Sequence, residues 1–352
     1  MYKNIYLLLG FFACFVVQAQ IGGVNTYSFL DLPSSSRINA LSRQITIMDS
    51  DPAMFWENPA SSNILSSKGI AFSNAFFFNG INAGSLSYNQ YMDQKEFSIH
   101  GGFRYVSYGD FESTDELGNV LGTFSANDYV FQIGASKALY GRLQLGASIK
   151  WIQSSYETYS SSGLAGDFGL IYHLDEKNLN IGLVAKNMGL QLSTYSGVRE
   201  SIPFDLQLAI SKRLEHLPFR FTFLYHHLHR WNILYDDPSQ QTNNFLGSED
   251  VAEGASWFTQ LMSHVVISGE FLFGKKENLR LHFSYDGQQR REMNLSYTGI
   301  AGFAFGAEVL LKRFRFGFSS SSWHLGQSMQ QVSVATNFVE FKKKSVLPSS
   351  SE

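Results

Sequence analysis

Between residues 69 and 341 the chain divides into fourteen segments in which apolar and polar residues alternate, and the connectors between them alternate in length. In a barrel that is threaded up and down through a membrane, every second connector faces the same compartment. Bacterial outer-membrane barrels have short periplasmic turns and long outer loops. The pattern therefore predicts an all-β fold, a 14-stranded antiparallel transmembrane β-barrel over residues 69–341.

The individual segments have one apolar and one polar face. In Phe219–Tyr225 the aromatic residues alternate with Arg220 and Thr222, so the two kinds of side chain fall on opposite faces. Residues 204–211, 279–285 and 313–318 repeat the pattern, which suits lipid on one face and a wet lumen on the other. A soluble β-sandwich is the alternative, but almost no segment is apolar on both faces as its buried strands would be.

The connector lengths predict the orientation of the barrel. Six short connectors are assigned to the periplasm: 92–95, 139–142, 175–178, 214–218, 274–278 and 312–313. Six long connectors are assigned to the outside: 106–128, 153–162, 187–201, 227–264, 286–298 and 319–330. The first hairpin, which turns at Asn79 and Gly80, is the one short connector on the outer side.

The first residues predict export. Lys3 precedes an apolar run that ends near Ala19, which is the pattern of a cleaved signal peptide over residues 1–20. A membrane anchor would need a longer apolar run, and the sequence around Cys14 departs from a lipidation motif. Because Cys14 is the only cysteine, we expect a mature chain without disulfides. The net charge of −3 indicates no nucleic-acid partner, whereas a barrel of this kind is surrounded by outer-membrane lipid.

Residues 21–68 do not alternate and precede the first predicted strand. Asp51 before Pro52, and Asn58 before Pro59, have the pattern of a helix cap followed by the first helical residue. Two short helices are therefore expected, and their apolar residues need cover that the barrel interior would supply. These residues are Met54, Phe55, Trp56, Ile64 and Leu65. The segment is predicted to be a hatch in the lumen.

This segment also resembles a known family. The stretches 21–23, 27–30, 32–37, 51–53 and 57–60 are similar to the N-terminus of the PorQ family of type IX secretion, whose wider relatives are PorV and the FadL-like barrels. The resemblance implies a 14-stranded FadL-like barrel with a structural hatch motif at Asp51, Pro52, Asn58, Pro59 and Ala60. It also implies a non-catalytic role in an attachment complex with a PorZ-like surface protein, a PorU-like sortase and a PorV-like barrel. That complex processes secreted cargo and attaches it to lipopolysaccharide.

The longest predicted outer loop, 227–264, is rich in aromatic residues. Its candidate partner-docking residues are Trp231, Tyr235, Trp257, Phe258, Leu261 and Met262, of which the last four have helical spacing. The alternative is that the loop folds down and caps its own barrel. Both interpretations place the loop at the cell surface.

The sequence contains no motif that indicates an enzyme, a cofactor site or a metal site. His226, His227 and His229 cluster at the start of the long loop, and we interpret them as solvated histidines rather than metal ligands. Lys342, Lys343 and Lys344 begin a tail, 342–352, that is predicted to be disordered.

Transport of small hydrophobic molecules is the alternative function, because FadL-like barrels pass such molecules. The polar side chains predicted to face the lumen mix both signs of charge, which favours internal pairing over an apolar conduit. They are Arg104, Lys150, Asp167, Asp205, Arg220, Arg280 and Arg315.

Overall fold

The computed structural model describes residues 25–139, 142–234, 256–274, 277–292, 300–324 and 327–338. In these ranges fourteen strands form one closed antiparallel barrel, in which each strand pairs with its sequence neighbours and the last strand pairs with the first. The prediction of a 14-stranded barrel is therefore confirmed. The predicted signal peptide and the predicted disordered tail lie outside the described residues.

The strands are β1 (Gly69–Phe76), β2 (Asn82–Met92), β3 (Phe97–Thr114), β4 (Val120–Leu139), β5 (Leu143–Tyr156), β6 (Tyr159–Leu174), β7 (Leu179–Ser193), β8 (Asp205–Arg213), β9 (Phe219–Tyr225), β10 (Val265–Phe273), β11 (Leu279–Asp286), β12 (Phe303–Leu311), β13 (Phe314–His324) and β14 (Gln327–Asn337). The α-helices are α1 (Ser36–Leu41), α2 (Trp257–Ser263) and α3 (Gly287–Glu292). Short 3₁₀ helices span Ser28–Asp31, Met54–Trp56, Pro59–Ser61, Ile64–Ser66, Phe78–Gly80 and Asp175–Lys177. Within the described ranges, no helix has both the length and the apolar character needed to cross a membrane.

The barrel wall has an apolar outer surface and a polar lining. In β11, Leu279, Leu281 and Phe283 are exposed, whereas Arg280 and His282 are buried inside. The same alternation occurs in β5, β9 and β13. An outer surface of aromatic and aliphatic side chains is stable against lipid rather than water.

The ends of the strands confirm the short connectors and correct several long ones. The turns after β8, β10 and β12 have the predicted bounds, and we assign their end of the barrel to the periplasm because such turns are short there. The predicted loops 106–128 and 153–162 are wrong, because the strands on either side continue to pair and leave only tight turns. The predicted loop 319–330 is also wrong, because β13 extends to His324 and β14 begins at Gln327. Beyond the membrane both faces of a hairpin are wet, so its sequence no longer alternates.

Residues 25–68, here called the hatch segment, run through the lumen from the outer end to the periplasmic end. At the outer end the Thr26 N–H donates to the Ser201 carbonyl at 2.9 Å. In the middle, the Gln44 side chain donates to Thr222 on β9 at 2.9 Å. At the periplasmic end, just before β1 begins, the Ser67 hydroxyl accepts from the Tyr91 N–H. The segment therefore occupies the whole height of the lumen.

The Asn58 and Pro59 pair begins a helical turn in the hatch segment. Asn58 Oδ1 accepts from the Ala60 N–H at 3.0 Å, and Pro59 is the first residue of the 3₁₀ helix Pro59–Ser61. The Asn58 amide also donates to the Ile45 carbonyl at 2.8 Å, which links two parts of the segment.

The predicted helix start at Asp51 is wrong by a few residues. Asp51 Oδ1 accepts from the Ala53 N–H at 3.0 Å and closes a turn around Pro52, so the 3₁₀ helix begins only at Met54. Met54, Phe55 and Trp56 are buried, but Ile64 and Leu65 are each 59% exposed. The expected cover for these last two side chains is therefore missing, since they face a cavity at the periplasmic end.

Two wall glycines permit close approach of the hatch segment. A Cβ added at Gly169 on β6 would overlap the Asn58 amide, and one at Gly146 on β5 would overlap the backbone of Pro59 and Ala60. The turn at Asn58 thus lies directly against the wall because these two positions have no side chain.

Gly169→Val is expected to push the Asn58 turn away from the wall and to destabilise the protein by about 1–3 kcal/mol, since the site has no room for a methyl group. The matched control is Gly122→Val on β4, where an added Cβ meets nothing within 4 Å. The measurement is the urea midpoint in detergent, together with trypsin cleavage of the hatch segment. Equal stability and equal cleavage of the two variants would show that the close approach is unimportant.

Candidate functional site

The centre of the lumen contains a buried guanidinium that joins the hatch segment to the wall. Arg37 lies on α1, whose first turn is capped by the Ser35 hydroxyl. Its Nε donates to Glu270 Oε1 on β10 at 2.9 Å, and its Nη2 lies 2.8 Å from the same oxygen. Its Nη1 lies 2.8 Å from Asp49 and 3.5 Å from Asp51, both on the hatch segment. One side chain therefore connects three carboxylates from two parts of the chain.

The wall extends this network through further arginines. Arg220 lies 2.8 Å from Glu270, and Arg280 lies 3.4 Å from both Asp49 and Glu308. Arg315 donates to the Ser50 hydroxyl of the hatch segment at 2.8 Å. These contacts confirm that the lumen charges are paired internally. They occupy the side of the barrel formed by β9 to β13.

The two hatch carboxylates beside Arg37 have opposite electrostatic behaviour. Burial alone would raise the pKa of both side chains, because it disfavours the charged form. At Asp49, Arg37 and Arg280 outweigh burial and hold the pKa well below its ordinary value. At Asp51 burial prevails over the attraction of Arg37, and the pKa is raised. The arginines therefore favour the ionised form of Asp49 more strongly than that of Asp51.

A second polar cluster lies on the opposite side of the lumen. Lys186 on β7 lies 2.8 Å from Glu57 of the hatch segment, and Lys150 on β5 lies 2.8 Å from Asp167 on β6. Arg104 on β3 donates to the Leu32 carbonyl at 2.8 Å, and its guanidinium lies 4.6 Å from the centre of the Trp56 ring. Backbone and aromatic groups of the hatch thus complete the pairing of the wall cations.

A group of apolar side chains packs in the outer half of the lumen along β1 to β6, beside the buried Arg104 on β3 and Asp128 on β4. Here the hatch segment contributes Tyr27, Phe29, Leu30, Phe55 and Trp56. The wall and the β7–β8 connector surround them with small and aliphatic side chains, namely Ala75, Ala83, Val106, Val130, Ile152, Ala165, Ile202 and Met329. We call this set the apolar cluster. It is a hydrophobic environment that the hatch segment itself fills.

A cavity of about 430 Å³ opens at the periplasmic end, below the hatch segment. Its lining combines the exposed Ile64 and Leu65 with polar groups of the wall, among them Asn180, Arg213 and Arg220. This volume lies in the range of small-molecule sites, about 300–1,000 Å³.

The predicted docking residues lie at the outer rim where the structure describes them. Trp257 and Phe258 on α2 are 67% and 64% exposed, while Leu261 and Met262 are half-buried. The ring of Trp231 stacks 6.4 Å from that of Trp257. Tyr235 lies outside the described residues. A role in docking remains a prediction.

The prediction of solvated histidines is wrong for His226, which is fully buried beneath the outer rim. His227 is half-buried and His229 is exposed. Burial lowers the pKa of His226 well below its ordinary value and that of His227 to about 4, so both rings are neutral at neutral pH.

Sequence reasoning missed the two groups at the centre of the site, Arg37 and Glu270. Arg37 was named only within the stretch 32–37 that carries the family resemblance, and no ionic role was predicted for it. The signal for Glu270 was available, because it is the one charged residue in the apolar segment Val265–Phe273 and lies on its inward face.

Arg37→Met is expected to destabilise the protein by about 3–5 kcal/mol, because Glu270 and Asp49 lose their shared cation while they remain buried. The control is Arg142→Ala, which removes the exposed pair with Glu176 and is expected to cost less than about 1 kcal/mol. Urea unfolding in detergent measures both effects. A small effect of Arg37→Met with an intact hatch, judged by protease resistance, would contradict a central role for this network.

Comparisons with known proteins show the fold. No protein-family model matches the chain, and no curated protein matches it. Among solved structures, a TodX monoaromatic hydrocarbon channel, as a deltaS2S3 mutant, superposes with a TM-score of 0.52 at 13% identity, covering 87% of this chain and 98% of the channel. The deltaS2 mutant of TodX gives 0.50 at 12% identity, covering 88% and 98%. A FadL homologue from Pseudomonas aeruginosa gives 0.49 at 9% identity, covering 87% and 98%. The two TodX superpositions show that the chain shares the barrel fold of these channels.

Proposed function

We propose that this protein is an outer-membrane barrel that passes small hydrophobic molecules, with the N-terminal part of the hatch segment as its gate. The observation that carries the proposal is the apolar cluster inside the lumen. Phe29 and Leu30 of the hatch segment fill a hydrophobic environment that a small apolar molecule would fill equally well. The fold likeness to channels named for monoaromatic hydrocarbons supports the same class of substrate.

The contacts of the hatch segment indicate which part is able to move. Its ion pairs with the wall involve Arg37, Arg43, Asp49 and Glu57. Residues 25–34 are instead held by apolar packing and by hydrogen bonds such as that between the Tyr27 hydroxyl and Ser161, at 2.5 Å. Displacing this part breaks no ion pair, although the buried Arg104 would lose the Leu30 and Leu32 carbonyls to which it donates. Displacing Arg37 would instead break its ion pairs with Glu270 and Asp49. A molecule that replaced Phe29 and Leu30 would lie above the cavity at the periplasmic end.

The gate is tested with cysteine pairs, because the mature chain is expected to contain no other cysteine. Asn25→Cys with Ser201→Cys tethers residues 25–34 to the β7–β8 connector. Asn25 and Ser201 form a β-bridge, and their side chains lie 2.7 Å apart. Uptake of radiolabelled toluene into cells is expected to fall at least about tenfold after oxidation and to recover after reduction, because the closed gate blocks passage.

Two control pairs separate gating from general effects of oxidation. Ser42→Cys with Ser284→Cys tethers the part of the hatch segment that the ion pairs already hold, and Ser162→Cys with Ser193→Cys joins β6 to β7 without the hatch. Both are expected to leave uptake unchanged. Unaltered uptake by the oxidised Asn25 and Ser201 pair would contradict the gate. Equal uptake with and without the protein would contradict transport itself.

The second candidate function is that of a non-catalytic component of type IX secretion, as the N-terminal resemblance implies. We propose it because the aromatic helix α2 is exposed at the outer rim, where a PorZ-like protein would dock beside a PorU-like sortase and a PorV-like barrel. A single exposed aromatic residue needs no explanation, but the neighbouring Trp257 and Phe258 form a patch suited to a partner.

Trp257→Ala with Phe258→Ala is expected to lower recovery of a PorZ-like protein in a detergent pull-down by about tenfold, through loss of central interface contacts. The control is Leu217→Ala, an exposed apolar residue in the periplasmic turn between β8 and β9. Deletion of the protein is also expected to release surface-attached cargo into the medium. Attached cargo together with lost toluene uptake would instead leave transport as the function.

A further inference from the structure

Three potential metal ligands meet where β8 and β9 reach the outer end of the barrel. Asp205 is the first residue of β8, and His226 and His227 directly follow the last residue of β9. Because the two strands are antiparallel neighbours, the start of one lies beside the end of the other. One ligand atom from each of the three residues lies within 4.8 Å of the others.

The two imidazoles face each other through the same kind of atom. Nδ1 of His226 lies 2.6 Å from Nδ1 of His227, and the latter lies 3.8 Å from Asp205 Oδ1. Two nitrogen lone pairs at this separation repel each other unless a proton or a cation lies between them. A metal ion bound to both nitrogens and to the carboxylate would satisfy all three groups, with the nitrogens moving slightly apart.

The surrounding contacts hold the ligand groups in place. Asp205 Oδ1 accepts from the His227 N–H at 2.7 Å, and Asp205 Oδ2 accepts from the Gln207 amide at 2.6 Å. Arg43 Nη1 lies 3.7 Å from Oδ2, whereas His227 Nδ1 lies 3.8 Å from Oδ1. The carboxylate therefore offers Oδ1 to a metal. Hydrogen bonds of this kind orient the ligands of known metal sites.

His264 supports the site from the loop side without being a ligand itself. Its Nδ1 lies 2.8 Å from the His226 carbonyl, and its Nε2 lies 2.9 Å from the Trp231 carbonyl. Both nitrogens are engaged, and the ring stacks 4.8 Å from that of Tyr225. His226 lies at one end of the long outer connector and His264 at the other, so these contacts hold the two ends of the connector together.

We propose that Asp205, His226 and His227 bind a zinc ion. Two imidazoles and one carboxylate are a ligand set for Zn²⁺ and similar transition metals, whereas Ca²⁺ and Mg²⁺ take oxygen ligands. The fourth position is taken by water or by His229, whose exposed ring lies 5.8 Å from that of His227. The ion ties β8 to β9 and to the base of the connector that carries α2. This inference is independent of the proposed function.

The test uses the full-length protein in detergent, purified with a tag that contains no histidine and treated with a chelator. Calorimetric titration with Zn²⁺ is expected to show one ion per chain. His227→Ala and Asp205→Asn are each expected to weaken binding at least about tenfold. The control His216→Ala removes an exposed histidine of the β8–β9 turn and is expected to bind as the unaltered protein does.

Two further measurements keep the outcome decisive. Each variant is first run unboiled on a gel, because a closed barrel migrates differently from the boiled protein and a misfolded variant is thereby recognised. Titration with Co²⁺ is expected to give the visible absorption bands of a tetrahedral site in the unaltered protein and in His216→Ala only. Absence of Zn²⁺ binding by the unaltered protein, or equal binding by folded His227→Ala and Asp205→Asn, overturns the proposal.

Discussion

The pairing of Arg37 with Glu270 is the interaction on which the rest of the structure depends. A guanidinium buried in a lumen is costly unless carboxylates surround it, and here one carboxylate comes from the wall and two come from the hatch segment. The wall alone would leave Glu270 with less compensation, and the hatch alone would leave Arg37 without its wall partner. The barrel and the hatch segment therefore reach their lowest free energy only together.

The barrel pattern could be predicted from the sequence because it is set by local alternation. The turns after β8, β10 and β12 end at the predicted residues, and the apolar faces of β9, β11 and β13 point outward as expected. The outer hairpins could not be predicted, because alternation disappears once both faces of a strand are wet. Strand pairing continues there through backbone hydrogen bonds that carry no sequence signal.

The lumen was less predictable, because its contacts join residues far apart in the chain. The mixed charges of Arg220, Arg280 and Arg315 indicated internal pairing, but alternation alone does not identify the partner of each charge. The partner of Arg37 lies more than two hundred residues away. The burial of His226 has the same origin, since Asp205 at the start of β8 and His264 directly after α2 lie beside a position that the sequence places at the start of an open loop.

The lumen has two unlike sides, and this difference constrains any path through it. Along β9 to β13 the hatch segment is held by ion pairs, so an opening there would expose several unpaired charges in a confined space. Along β1 to β6, in the outer half, apolar side chains of the hatch face apolar wall, and an apolar ligand would replace one hydrophobic contact with another. The exchange leaves the ion pairs of the hatch segment intact, but the buried Arg104 must find a replacement for the Leu30 and Leu32 carbonyls. A small molecule that enters the barrel would therefore follow the β1 to β6 side, while Arg37 keeps the remainder of the hatch in place.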